Sequence, residues 1–269
     1  MASQRFFPES RYSRTHLPNW EQNANEFINT IVHVKPRKYL PGIGLFVYGD
    51  NFEGLIPTKE LSIYTNQNPS RLAGILVGRK FLVTAQICSI SGDLFILSRK
   101  KSMEDALQQV YDAMDSNETV SAKILNIQDF TTFLDIGGGI SAILPICEVS
   151  STYIEKENLF KYFEGIDSIP VKILNESKKS QGKFVVSYKK AFKPIPISEG
   201  DTVKGRIIRD LPDGTGKVVE LSPVQSGIVD IGLQSWIHLE IGQSYNFYVT
   251  RFRTNDNGVL HYSLDVIVE

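Results

Sequence analysis

The chain has 269 residues, of which 42% are hydrophobic and 22% charged, and its formal net charge is −1. This composition excludes a disordered chain, and the length suggests about two compact units. A net charge close to zero argues against a protein that coats nucleic acid by bulk electrostatics. Because the sequence shows neither a long apolar run nor a signal-peptide pattern, we expect a cytoplasmic protein that does not contact membranes.

Charge is distributed unevenly along the chain. Residues 26–101 contain ten Lys and Arg against five Asp and Glu, residues 102–193 contain ten against thirteen, and residues 194–269 contain six against ten. A polyanionic partner is therefore expected to meet the N-terminal half.

Behind an N-terminal arm, residues 1–25, the same order of strand and turn signals occurs three times. In the middle copy, strands are predicted at 119–127, 130–136 and 140–145, with glycines before the third, and two more in "DSIPVKILNES" and "GKFVVSYKK". The first third gives "EFINTIVHVKP", "GIGLFVYG", "FEGLIPTKELS", "GRKFLVTAQICSI" and "DLFILSRKK". The last third gives "GDTVKGRIIRDL", "GKVVELSP", "QSGIVDI", "GQSYNFYVTRFR" and "GVLHYSLDVIV". Repetition at this spacing indicates repeated domains.

The first connection between copies has helical spacing. In "SMEDALQQVYDAMDSN" the apolar residues recur every three or four positions, and Ser102 and Asp105 are placed as a capping box. The predicted domains are therefore 26–101, a linker helix at 102–117, 118–193 and 194–269. The second connection, "KPIPIS", contains two prolines and is predicted to be an extended, stiff spacer.

Five short antiparallel strands, with a longer insertion between the third and fourth, are typical of the OB-fold, a small barrel that hides its sheet edges. The predicted fold class is therefore all-β, with three consecutive five-stranded OB-fold barrels and a short interdomain helix.

Motifs in the first two copies resemble a known family. "DFTTFLDIGGGISAILPICEVS" and "GLFVYGDNFEGLIPTKELS" are similar to the Phe strand, glycine turn and Ser-Glu-Leu-Ser tail of the S1 RNA-binding domain. "ILSRKKSMEDAL" resembles the junction between consecutive domains of that family, and "VVSYKK" resembles its domain end. The third copy matches in outline only, through "EGDTVKGRI" and "HYSL".

The resemblance implies an OB barrel of S1 type that binds single-stranded RNA by stacking bases on aromatic rings and contacting phosphates with basic side chains. In the second copy Phe130 and Phe133 match the stacking phenylalanines, and Pro145 stands where many members have histidine. Lys183 stands at a basic position of the family, and Lys123 is a further candidate phosphate contact.

In the first copy Phe46 matches the second phenylalanine, Ile43 replaces the first and Pro57 replaces the histidine. Leu94 occupies the basic position. Positive charge comes instead from a short cluster that we assign to phosphate contacts, Lys35, Arg37 and Lys38.

Phe130 and Phe133 pose a geometric question. In a regular strand, residues three apart point to opposite sides, so one ring could belong to the core while the other faces solvent. The family bends the chain between its rings at a glycine, but here Thr131 and Thr132 intervene, and β-branched residues resist a bulge. The glycines at 137–139 favour a hairpin turn over a phosphate loop, because a strand and not a helix follows them.

Catalytic and metal sites find no support in the sequence. Four histidines are scattered without carboxylates or cysteines at ligand spacing, and Cys88 and Cys147 are interpreted as buried free thiols. We therefore expect no enzyme activity, no metal and no cofactor.

The sequence predicts a non-catalytic protein that holds single-stranded RNA through its first two domains, in translation or RNA metabolism. Two alternatives stay open at this point. The acidic third domain could dock on a ribosome or another protein, making the chain a protein-interaction module. Single-stranded DNA could also be the ligand, because stacking does not read the sugar.

Overall fold

The computed structural model describes residues 8, 13–65, 67–78, 82–177, 183–230, 238–254 and 260–267. Within these ranges, the side chains of seven strand residues lie outside the description: 176, 177, 183, 253, 254, 260 and 261.

Three closed five-stranded barrels follow one another along the chain, which confirms the predicted fold class. The first barrel contains β1 (Ile31–Leu40), β2 (Gly44–Tyr48), β3 (Glu53–Pro57), β4 (Val83–Ser91) and β5 (Leu94–Ser98). The second contains β6 (Thr119–Gln128), β7 (Thr131–Asp135), β8 (Ser141–Pro145), β9 (Ser168–Ser177) and β10 (Lys183–Ser187). The third contains β11 (Thr202–Asp210), β12 (Gly216–Ser222), β13 (Gln225–Asp230), β14 (Ser244–Thr254) and β15 (Leu260–Val266).

Each barrel closes in the same way. In the first, β1 pairs antiparallel with both β2 and β4, while β3 pairs in parallel with β5. The third barrel repeats these pairings between β11, β12 and β14 and between β13 and β15. A bulge interrupts the first strand of both barrels, between Pro36 and Lys38 and between Ile207 and Arg209. Such bulges bend a long strand so that it can serve two neighbours.

Four α-helices occur within the described residues: α1 (Trp20–Asn23), α2 (Pro69–Gly78), α3 (Arg99–Asp115) and α4 (Leu159–Tyr162). The long α3 is the predicted linker helix, but the predicted capping box is wrong. The cap is Ser98, whose side chain accepts a hydrogen bond from the Lys101 amide. Ser102 is buried and donates its hydroxyl to the Thr84 carbonyl, because α3 packs on β4.

A segment from residue 13 to α1 lies against the first barrel. The Leu17 amide donates to Asn51 Oδ1 at 2.9 Å, and the Trp20 indole donates to the Asn51 carbonyl at 2.8 Å. The Trp20 ring meets Phe95 edge-on, with centroids 5.3 Å apart. Buried apolar side chains thereby extend the first core beyond the five strands.

The two cysteines are free, and the prediction that both are buried is wrong. Cys88 is partly buried in β4, whereas Cys147 is exposed in the turn after β8. The helices of the described residues are all too short or too polar to cross a membrane.

By internal contacts the chain divides into two compact units. One comprises Met1–Lys123, Leu134–Ala142 and Asn175–Phe184. The other comprises Ile124–Phe133, Ile143–Leu174 and Val185–Glu269. The face of the second barrel that carries Phe130 and Phe133 therefore falls in the same unit as the third barrel.

Candidate nucleic-acid interface

Phe130 does not belong to a strand, and this answers the question raised by its spacing from Phe133. It lies in the turn that precedes β7, and its side chain is 62% exposed. Its carbonyl accepts a hydrogen bond of 2.9 Å from the Ile146 amide, directly after Pro145. Strand alternation therefore does not apply between the two rings, and a bulge at the threonines is unnecessary.

From Thr131 to Leu134 the burial of β7 side chains alternates regularly. Thr132 and Leu134 are fully buried, whereas Phe133 between them is only partly buried and points outward. The Thr132 hydroxyl is buried without a hydrogen-bond partner, so this residue is held inside by the strand geometry rather than by a polar contact. Both phenylalanines consequently lie on the outside of the second barrel.

A basic side chain that the sequence did not single out contacts this surface. Lys156 lies in the connection between β8 and β9, shortly before α4, with its Nζ atom 5.9 Å from the centroid of the Phe130 ring. A cation at this distance is attracted by the ring face and would also meet the phosphate of a stacked nucleotide. Lys156 also forms an exposed ion pair of 3.6 Å with Glu157.

The glycines after β7 form a turn and not a phosphate loop. The Asp135 carboxylate accepts hydrogen bonds from the amides of Gly137 and Gly139, at 2.9 and 3.2 Å. Amides engaged in this way are not available to an anionic ligand. The turn therefore shapes the hairpin between β7 and β8.

The first barrel repeats the geometry with fewer rings. The Ile43 carbonyl accepts a hydrogen bond of 3.2 Å from the Thr58 amide, directly after Pro57, as Phe130 accepts one from Ile146. Ile43 is 53% exposed, and Phe46 three residues later is partly buried. Ile43 and Phe46 therefore correspond in place to the two phenylalanines of the second barrel.

The predicted basic cluster borders this surface. In the pairing of β1 with β2, Lys38 stands opposite Phe46 and Lys35 opposite Tyr48. Arg37 occupies the bulge between them and forms an exposed ion pair with Glu53 at 3.4 Å. The structure thus brings all three predicted cations next to β2 on the first barrel, and Glu53 partly offsets the charge of Arg37.

An open groove of about 820 Å³ lies beside these residues, and Leu94 is among those that line it. The groove contains the rings of Trp20 and Tyr48, and the Arg14 guanidinium lies 5.4 Å from the Tyr48 centroid. Three acidic side chains are also present, namely Asp50, Glu53 and Asp93.

Two other predicted basic residues, Lys123 and Lys183, lie on β6 and β10 of the second barrel. Lys123 is partly buried in the middle of β6. Lys183 begins β10, but its side chain lies outside the described residues, as do Lys178 and Lys179 altogether.

The third barrel can be aligned with the first through two glycines. Gly54 pairs with Val47 on β2, the second strand of its barrel (strand 2), and with Phe95 on β5, the fifth. Gly227 likewise pairs with Val219 on β12, the second strand of the third barrel, and with Tyr262 on β15, the fifth. A Cβ atom at either glycine would lie within 3 Å of a leucine side chain across that junction. Val47 and Val219 are therefore equivalent positions.

By this alignment Val218 replaces Phe46, and Glu220 replaces Tyr48. Val218 is 6% exposed and Glu220 is 7% exposed, so the outer side of β12 is covered. The third barrel lacks a ring at the family position, as the weak motif in its sequence suggested.

Glu220 is covered by residues of the segment between β8 and β9. It accepts hydrogen bonds from the Ser150 hydroxyl and from the Tyr162 hydroxyl, the latter at 2.7 Å. Burial raises the pKa of Glu220, while these two donors and the nearby Arg206 guanidinium oppose that rise. Burial and the adjacent carboxylate also raise the pKa of Tyr162 above its ordinary value. Glu220 and Tyr162 thus form a buried, hydrogen-bonded polar cluster.

Comparison with known proteins confirms the resemblance predicted from the sequence. The chain is 28% identical over 222 residues to small ribosomal subunit protein bS1 of Streptococcus pneumoniae strain R6, covering 78% of this chain and 52% of that protein. It is 26% identical over 196 residues to bS1 of Staphylococcus epidermidis, covering 69% and 46%. The chain thus spans about half the length of the curated relatives it matches. No protein-family model matches the chain.

Two solved structures also align with parts of the chain. One is a multidomain protein with nucleic acid binding domains from Streptococcus pneumoniae, with 13% identity, a TM-score of 0.29 and coverage of 90% of this chain and 75% of the other. The second is an a/eIF2alpha–aDim2p–rRNA complex from Pyrococcus horikoshii, with 24% identity, a TM-score of 0.24 and coverage of 27% and 42%. These scores are too low to support a functional inference.

Proposed function

We propose that the chain is a non-catalytic protein that binds single-stranded RNA on the outside of its barrels, over the second strand of each (β2 and β7). One observation carries the proposal: Phe130 and Phe133 both lie outside the second barrel, and Lys156 stands over the Phe130 ring. Bases of any sequence can stack on such rings while a lysine meets the backbone. The first barrel adds Phe46, with Lys38 opposite it on the neighbouring strand.

The similarity to bS1 supports this function and a place in translation or RNA metabolism, including contact with the ribosome. A cytoplasmic location, the absence of catalysis and the roles of Lys123 and Lys183 in phosphate contact stay predictions. Stacking contributes about 1–3 kcal/mol per base, so we expect modest affinity from each barrel.

The test is equilibrium binding of a fluorescent single-stranded RNA by anisotropy, with the Phe130→Ala, Phe133→Ala double variant. We expect at least tenfold weaker binding, because two stacking contacts are lost. Tyr248→Ala is the matched control, since this ring is also exposed but lies on the third barrel. Unchanged affinity in the double variant would contradict the proposal.

Competition between RNA and DNA oligonucleotides of one sequence determines whether the protein distinguishes ribose from deoxyribose.

Docking of the third barrel on another protein remains the second candidate function. It is favoured by the buried valine at the family's ring position and by two exposed rings on β14, Tyr248 and Phe252. Under this alternative, RNA binding is weak and nearly independent of salt, whereas phosphate contacts make it fall with rising salt. A titration of RNA affinity against salt concentration separates the two.

A further inference from the structure

The segment between β8 and β9 is attached to the third barrel at its beginning. The Ser150 hydroxyl donates to the Glu220 carboxylate, and both residues are buried. The next amide, that of Ser151, donates to the Pro223 carbonyl at 2.8 Å. These two bonds fix the point where the segment leaves the second barrel.

The same segment is attached again twelve residues later. The Tyr162 hydroxyl reaches the other oxygen of the Glu220 carboxylate at 2.7 Å. The Arg206 guanidinium donates to the Tyr162 carbonyl at 2.6 Å, and its Cζ atom lies 5.3 Å from the Tyr162 ring centroid. One buried carboxylate thus holds both ends of residues 150–162, which we call the clamped segment.

Between its two attachments the clamped segment displays exposed rings. Tyr153 is 71% exposed and Phe160 is 64% exposed, the two highest values among the large hydrophobic side chains of the described residues. Lys156 lies between them in sequence and stands over Phe130. The clamped segment therefore contacts the proposed stacking surface of the second barrel through Lys156.

We propose that Tyr153 and Phe160 form a further base-stacking site for single-stranded RNA, and that the third barrel positions them by clamping residues 150–162. This inference rests on the proposed function and extends it. Two aromatic side chains left in water at fixed points of a held segment are typical of stacking platforms. The third barrel then contributes to RNA binding without contacting the RNA.

Charge and the contact made by Lys156 favour RNA over a protein as the occupant. The clamped segment carries Lys156 and Lys161 against Glu155 and Glu157, so its net charge is zero and it does not repel a polyanion. It meets the proposed stacking surface through Lys156, a cation that stands over the Phe130 ring and can contact the phosphate of a stacked nucleotide. Because Tyr153 and Phe160 carry no charge, their loss should weaken affinity without changing its salt dependence.

The direct test measures affinity for a fluorescent single-stranded RNA, long enough to pass both sites, with Tyr153→Ala, Phe160→Ala and Lys156→Ala. Each ring variant should bind roughly threefold to tenfold more weakly with an unchanged slope of affinity against salt. The lysine variant should reduce that slope. Tyr248→Ala, which removes an exposed ring on β14 of the third barrel, should leave both quantities unchanged.

The positioning role is tested with Tyr162→Phe, which keeps the ring and removes only the hydroxyl that reaches Glu220. We expect faster amide hydrogen exchange in residues 151–162, unchanged exchange in β12, and RNA affinity lowered about twofold to fivefold. Glu220→Ala should act in the same direction and more strongly. Faster exchange with unchanged RNA affinity would overturn the positioning role.

The outcomes distinguish the two proposals. If Phe130→Ala, Phe133→Ala weakens binding but Tyr153→Ala and Phe160→Ala do not, the further site is wrong and the proposed function stands. If the unaltered chain binds no RNA, both are wrong. If the ring variants leave RNA affinity unchanged but abolish binding of a purified protein partner, the clamped segment is a protein-docking surface instead.

Discussion

The second and third barrels have the same strand order but use the outer side of strand 2 in opposite ways. In the second barrel this side carries Phe133 and borders the exposed Phe130. In the third barrel the equivalent side carries Val218 and Glu220, both buried. One surface faces solvent with rings, while the other is covered by part of the neighbouring barrel.

The difference shows that a repeated fold does not fix a repeated function. Relative to the first barrel, Val218 stands in place of Phe46, and Glu220 stands in place of Tyr48 and supplies a carboxylate that receives two hydroxyl donors. A buried carboxylate is costly unless it is satisfied in this way. In the third barrel this side therefore carries an internal attachment, where the first barrel carries the Phe46 ring.

The largest expected effect tests the alignment of the barrels. Gly44 and Gly216 occupy equivalent positions at the start of strand 2, and a Cβ atom there would lie 2.3 Å from the Ile56 carbonyl oxygen or 2.4 Å from the Val229 carbonyl oxygen. Replacement by alanine should destabilise the affected barrel by about 2–3 kcal/mol, since backbone must move. Urea-dependent hydrogen exchange in each barrel measures this.

Gly74 in α2 is the matched control for that experiment. A Cβ atom added at Gly74 would meet nothing within 4 Å beyond the backbone of its own helix, so Gly74→Ala should be neutral or stabilise by about 0.5–1 kcal/mol. Destabilisation at only one of Gly44 and Gly216, with the other as tolerant as Gly74, would show that the alignment, and the equivalence of Phe46 and Val218, is wrong.

The next effect separates the ring positions themselves. Phe133→Ala and Phe46→Ala should each weaken RNA binding by about 1–2 kcal/mol, the contribution of one stacking ring. Val218→Ala, at the third equivalent position, should leave RNA affinity unchanged. Anisotropy titrations at one salt concentration compare the three, and an equal loss at Val218 would mean that the third barrel also binds RNA on strand 2.

A smaller effect concerns the stability of the clamp. Tyr162→Phe leaves the buried Glu220 carboxylate one donor short and should lower the stability of the attachment by about 1 kcal/mol. Tyr248→Phe removes a hydroxyl from an exposed ring and should change nothing measurable. Hydrogen exchange of the Ser151 amide, which donates to Pro223, reports the difference.

The smallest effects are opposite responses to pH. Burial raises the pKa of Glu220, so its contribution to stability is present at low pH and is lost as pH rises through the raised value. Burial lowers the pKa of His33 in β1 from 6.5 to about 4, so the first barrel loses stability as pH falls across that window. Glu220→Gln and His33→Gln should each remove the slope in their own barrel, and hydrogen exchange from pH 4 to 8 measures both. If the stability of the two barrels changed in the same direction with pH, the opposite pKa shifts assigned to Glu220 and His33 would be wrong.

Much of the fold followed from the sequence because hydrophobic alternation and turn residues are local signals. The strands of the second barrel predicted at 119–127, 130–136 and 140–145 correspond to β6, β7 and β8. The boundary at Phe130 was missed, since a phenylalanine beside two threonines reads as strand. The helix cap at Ser98 was missed because serines stand at both 98 and 102, and the choice depends on packing against β4.

The candidate site was only partly predictable. Family resemblance supplied Phe130, Phe133 and Phe46, which the structure places on outer surfaces. Lys156 and the exposed rings of the clamped segment were missed, because its helical turns are too short to give a periodicity from which a direction can be inferred. The stretch "YIEKENLFKY", rich in rings and lysines without strand or helix spacing, was the available signal. Burial of Glu220 depends on another barrel and left no local trace.

The most direct test of the central claim is ultraviolet crosslinking of single-stranded RNA to the purified chain, with the crosslinked residues identified by mass spectrometry. We predict crosslinks within 129–145, at Phe46 and within the clamped segment, and none within β12. Crosslinks concentrated on β12 and β13, with the phenylalanines of the second barrel unmodified, would contradict the account.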